Sequence, residues 1–169
     1  MPRLFVLAAL LGLVACGPPN SAAPPQTPGA LSVAYQWHSG PVAPPYVRTE
    51  TIDVAPSGEG RLASARGAVE HEVAFRLSPE QMQALYADLR AAGLYDGFAA
   101  PDGPPRAGGA TWELTVTADG QTTTVPRAVA RRDEDAKERI GQAITAAVPA
   151  SARADMDAWI AATEPSGAD

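Results

Sequence analysis

The sequence predicts an α+β fold, an antiparallel sheet of about five to six strands with about three helices on one face. Three observations predict it. Apolar and polar residues alternate through several short runs, the period of a half-buried strand. The pair Asp119-Gly120 sits between two such runs, a hairpin signal. The strands come first and the helical patterns are largely grouped, whereas a parallel sheet would interleave them.

The elements follow in order. Val33, Tyr35 and Trp37 alternate with small or polar residues, and prolines between Pro41 and Pro45 end that strand. Tyr46 to Val54 is rich in Thr, Val, Ile and Tyr, and Pro56-Ser57-Gly58 turns it. Arg61 to Ala65 returns as a short partner. From Val69 to Leu77 the residues Val69, His71, Val73, Phe75 and Leu77 face one way, with Glu70, Glu72 and Arg76 facing the other. Ser78-Pro79-Glu80-Gln81 then forms a capping box with proline at the first helical position. Met82, Leu85, Tyr86 and Leu89 make one apolar stripe, and Gly93 ends the helix. Asp96 to Gly109 reads as a Gly/Pro loop. Thr111 to Thr117 and Gln121 to Val125 are the arms of the Asp119-Gly120 hairpin, stopped by Pro126. Asp133 caps a helix from Glu134 to about Val148, with Ile140, Ala143, Ile144 and Ala147 inward. Pro149 separates it from a last helix, capped by Ser151, that packs Met156, Trp159 and Ile160. No internal repeat of solenoid length is present.

The ends have a different character. Leu4 to Val14 is uncharged and almost wholly aliphatic, about 11 residues or roughly 16 Å as a helix, too short to span a bilayer and of the length of a secretion signal. It ends Leu13-Val14-Ala15-Cys16, and Cys16 is the only cysteine. This stretch resembles the lipobox of bacterial lipoproteins. The resemblance implies cleavage before Cys16, a diacylglyceryl chain on its sulfur and acylation, palmitate included, of the new amino group. Two or more chains make a stable anchor where one is marginal. Gly17 in place of Asp implies the outer membrane, with the chain facing the periplasm. The expected organisation is a signal peptide over 1–15, lipidated Cys16 and a tether over 16–30, one domain over 31–163, and a disordered tail over 164–169. In the tether, five of the fourteen residues from Gly17 to Ala30 are proline and none is charged. Such a segment reaches roughly 40 Å in polyproline II form.

The formal charge is −6. An acidic surface argues against nucleic acid and against docking on anionic lipid, so the expected membrane contact is through Cys16. Neither a cofactor nor a metal is expected. The chain has two histidines, no Cys pair, no His-Glu-x-x-His, no Gly-rich phosphate loop after a strand and no Gly-x-Ser-x-Gly. Asp133-Glu134-Asp135 reads as acidic residues favoured by a helix dipole, and Asp96 and Asp102 lack calcium-loop spacing. Lys137, the single lysine, is expected in a solvated ion pair with Asp135 or Glu138. His71 is expected as a hydrogen-bonded core or sheet-edge residue, and His38 as an exposed loop residue.

Two loops are candidate contact surfaces, because aromatic and arginine side chains on loops are common binding anchors. One carries Trp37, His38 and Tyr46; the other carries Phe98 and Arg106. Leu85, Leu89, Gly108-Gly109 and Asp119-Gly120 are similar in placement to small bacterial envelope domains and, faintly, to emfourin-type metalloprotease inhibitors. The expected function is therefore a non-enzymatic, lipid-anchored binding module facing the periplasm, with a protein or polymer of the envelope as partner and protease inhibition as one version. A structural accessory of envelope assembly is the alternative. An enzyme using His71 or His38 with nearby carboxylates is the second alternative.

Overall fold

A computed structural model describes residues 29–43, 46–103 and 108–164. Cys16, its flanking segments, Arg106 and the tail from 165 onward lie outside the described residues. Six strands form one antiparallel sheet: β1 (Leu31–His38), β2 (Arg48–Val54), β3 (Glu59–Arg66), β4 (Val69–Arg76), β5 (Thr111–Ala118) and β6 (Gln121–Val125). Their order is β4-β3-β2-β1-β5-β6. Three helices accompany it: α1 (Pro79–Ala91), α2 (Glu134–Ala147) and α3 (Ala150–Thr163), with a 3-10 turn at Arg131–Asp133 before α2.

Register places one apolar set under the helices. Tyr35 pairs with Ile52 and Leu114, Ile52 with Leu62, and Leu114 with Val125. Directly opposed residues share a face. This row therefore points the same way as Val33, Val54 and Val116, and it packs on Leu85, Tyr86 and Leu89 of α1, Ile140 and Ile144 of α2 and Met156 of α3. The opposite face carries Thr49, Thr51, Thr115, Thr117, Thr122 and Thr124 among charged residues, and it stays open to solvent, as one face of an antiparallel sheet can.

The local signals are realised in most places. Ser78 Oγ accepts from Gln81 N at 3.3 Å while Gln81 Oε1 accepts from Ser78 N at 2.8 Å, a full capping box. At the other end of α1, Gly93 (φ +98) lets Gly93 N donate to Arg90 O and Leu94 N to Leu89 O, both at 3.1 Å, a Schellman closure. Asp119 and Gly120 both have positive φ, 49° and 80°, as a type I′ turn requires. The hairpin tip is also clasped: Asp119 N donates to Ala30 O at 3.0 Å and Asp119 Oδ1 accepts from Ala30 N at 3.1 Å.

Four local expectations are corrected. Tyr46 lies in the loop before β2, which begins at Arg48 once the prolines are passed. The partner strand after the Ser57-Gly58 turn is not short, because β3 has eight residues and sits between β2 and β4. Asp133 does not cap α2 through its side chain; its Oδ2 accepts instead from Ala99 N at 2.9 Å, tying the 98–99 segment to the start of that helix. Ser151 is inside α3, which starts one residue earlier behind Pro149 with no side-chain cap.

Candidate functional site

β1 runs about 23 Å from Leu31 to His38 at 3.3 Å per residue, so the sheet has two distinct ends. The Leu31 end holds the Asp119-Gly120 turn. The far end gathers both loops that carry the candidate contact residues. Gly40 (φ +83) lies against the Gly109 carbonyl so closely that a β-carbon would overlap it. The two loops therefore meet backbone to backbone.

Each candidate residue has a definite setting. Trp37 is half-buried on the helix-covered face, with the Arg48 guanidinium 4.9 Å from its ring centroid. His38 is not the exposed loop residue expected: it is the last residue of β1, paired with Thr49 and Thr111 and half-buried on the open face, where Arg127 Nη2 is 3.4 Å from its Nε2 and also 3.4 Å from Glu113 Oε1. Arginine has only donors, so the imidazole Nε2 accepts. Tyr46 is 50 % exposed, and Val42 and Val47 of the same segment are exposed too. Phe98 is half-buried and packs against the core. Gly103 and Gly108, which flank the segment containing Arg106, both line the cleft described next.

An open cleft of about 810 Å³ lies between residues 101–103 and 108–111 on one side and the first half of α2 on the other. Trp112, Arg127, Arg131, Glu134, Lys137 and Glu138 line it, with backbone of Gly103, Gly108 and Ala110 on the loop side. Lys137 is its most constrained group. Its Nζ donates to the carbonyls of Trp112 (2.9 Å), Pro126 (2.7 Å) and Arg127 (2.6 Å), and it stands over the Trp112 ring at 4.5 Å. An ammonium has three protons, and all three are used. The expected solvated pair with Asp135 or Glu138 is thus replaced by a clamp on the entry of β5 and the exit of β6. Two influences oppose at this nitrogen. Burial pushes it down to about 8, with Arg127 adding to the shift, while Glu113 favours the charged form. The carbonyls also favour charge, and the group keeps its proton at neutral pH.

The two histidines do not meet. They lie on opposite faces, with β2 and β3 between their strands, about 14 Å of sheet. His71 Nε2 lies 3.1 Å from Asp155 Oδ1, and its ring stacks on Trp159 at 5.5 Å and 13°. Ser64 is its cross-strand neighbour. The Ser64 hydroxyl is buried and donates to Thr49 O at 3.0 Å, so it is directed at a backbone acceptor and not at the imidazole.

Two residues escaped the sequence reading altogether. Glu50, 8 % exposed, sits on the helix-covered face and accepts from Arg153 Nη1 at 2.8 Å. Arg153 Nη2 is buried without a partner. Burial together with the Glu50 charge pushes the neighbouring Tyr35 phenol up to about 12. Alternation alone would have placed Glu50 on the buried side with Ile52 and Val54, and that was the available signal. Among the described residues no group of three or more His, Cys, Asp or Glu side chains is arranged to hold a metal ion. No family model matches the chain, and no curated protein matches it.

Proposed function

We propose that the protein is a lipid-anchored binding module on the periplasmic face of the bacterial outer membrane, whose partner seats in the cleft beside Trp112. The observation that carries this reading is the position and lining of that cleft. It is large enough for a peptide or polymer segment, and its rim carries both charge signs through Arg127, Arg131 and Glu138. It stands at the end of the sheet away from Leu31, where the chain from Cys16 enters the fold. An anchor there leaves the cleft facing outward, and a tether raises the effective concentration of the site near the membrane. Leu13-Val14-Ala15-Cys16 supports the anchor. A protease is one partner class that such a seat suits.

The test uses the full chain in a bacterial envelope. A photo-crosslinking residue at Arg131, on the cleft rim, should give a defined adduct, while the same residue at Asp88 on the exposed side of α1 should give none. Labelled palmitate should enter the wild-type chain and not Cys16→Ser. Equal adducts from both positions, or none from Arg131, remove the cleft as the seat. Label retained in Cys16→Ser, or absent from both, removes the anchor.

A further inference from the structure

We infer that two copies of this chain join through β4, edge to edge about a two-fold axis, to make one continuous sheet. This inference does not rest on the cleft. β4 is eight residues long, ends the sheet, and pairs only with β3 among the described residues. Its outward main-chain groups are a template for another strand. The other edge, β6, has five residues, Gln-Thr-Thr-Thr-Val, with no charge to set a register.

The side of β4 that faces the helices is incompletely covered. Val69 is 54 % exposed, and His71, Val73 and Phe75 are each only half-buried. On β3 the equivalent positions Gly60, Leu62 and Ser64 are buried. A strand added outside β4 would cover that row as β4 covers β3.

Charge selects the occupant and the register. Charged residues on an edge normally keep strands apart. Here the signs complement the same strand reversed. A two-fold axis perpendicular to the sheet keeps the helices of both copies on one side, and opposed residues then come from the same face. Centring the axis on Val73 sets Glu70 against Arg76 of the second copy, twice, with Glu72 against Ala74 and His71 against Phe75. Centring on Glu72 opposes two glutamates, and centring on His71 opposes Glu70 to Glu72. Centring on Ala74 gives Glu72–Arg76 pairs, but it overlaps only residues 72–76, whereas the Val73 axis overlaps 70–76. Arg76 is well exposed, bonded within the chain to Glu59 at 2.9 Å, and a guanidinium can fork between two carboxylates.

Sedimentation equilibrium on the full chain carrying Cys16→Ser tests this. A species of twice the 17.4 kDa chain mass is expected. Glu70→Arg or Arg76→Glu alone should raise the dimer dissociation constant about tenfold, and the double reversal should return it to within about threefold of the parent. Val73→Cys should oxidise to a disulfide-linked dimer, and Asp88→Cys should not; this arm carries no charge change and stands if a reversal fails to fold. A monomer at all concentrations, or a dimer indifferent to both reversals, overturns the inference. Rescue by Glu72→Arg with Arg76→Glu, in place of Glu70→Arg with Arg76→Glu, overturns the Val73 axis.

Discussion

Lys137 Nζ stands 4.5 Å from the centroid of the Trp112 ring and donates to the carbonyl of that same residue at 2.9 Å. One cation thus holds both the side chain and the main chain of a residue at the mouth of β5. Its other two bonds, to Pro126 and Arg127, hold the segment leaving β6. A single ammonium on α2 ties together the two arms of the hairpin where no turn connects them.

Lys137→Met should therefore destabilise the fold by about 2–3 kcal/mol, since carbonyls that shared a charged donor lose it. Lys137→Arg should recover little, because a flat guanidinium cannot aim three donors at three converging carbonyls. Urea unfolding of the three proteins measures both, and full recovery by arginine would show that charge alone matters.

The same residue sets a pH dependence. Its folded value is near 8, below the ordinary lysine value of 10.5. Between the two, the unfolded chain binds more protons than the folded one, so stability rises with pH across that window. The group is half-exposed, and solvent screening reduces the gain to about 1 kcal/mol. The rise should disappear in Lys137→Met, as followed by unfolding midpoints from pH 7 to 11.

Glu50 and Arg153 form the one ion pair between described residues that is largely withdrawn from water, with side-chain exposures of 10 % and 26 %. Arg153→Met leaves the Glu50 charge stranded and should cost about 3–5 kcal/mol, while the double change with Glu50→Gln should restore most of it. A double-mutant cycle by chemical denaturation reads the coupling, and additive effects would refute it.

Gly40 needs its missing side chain for a nearby reason. Gly40→Ala should cost about 2 kcal/mol, from positive φ and from collision with the Gly109 carbonyl. Gly67→Ala is the matched control: its φ is +61 but nothing lies within 4 Å of the added carbon. Equal losses in thermal unfolding would show that the approach of the two loops contributes nothing.

The fold class was legible because its signals are local. Alternation, the Ser78 capping box and Asp119-Gly120 each act within a few residues, and each is realised. The site was less legible because its bonds are not local. Lys137 meets a carbonyl 25 residues away, and Arg153 meets Glu50 across 103 residues. Helix neighbours Asp135 and Glu138 were the near partners in sequence, yet α2 turns Lys137 toward the sheet. Asp133 misled in the same way: an acid at a helix start is normally a cap, and here it serves the loop at Ala99.

The Ala30–Asp119 clasp has a mechanical consequence. Leu31 opens β1, a central strand bonded on one side to β2 and along its whole length to β5. A pull through residue 30 along the direction of β1 strains both ladders in shear, many bonds at once, instead of peeling them one by one. It must also open the two hydrogen bonds to Asp119 first. The end of the fold nearest Cys16 in sequence is thus built to carry load.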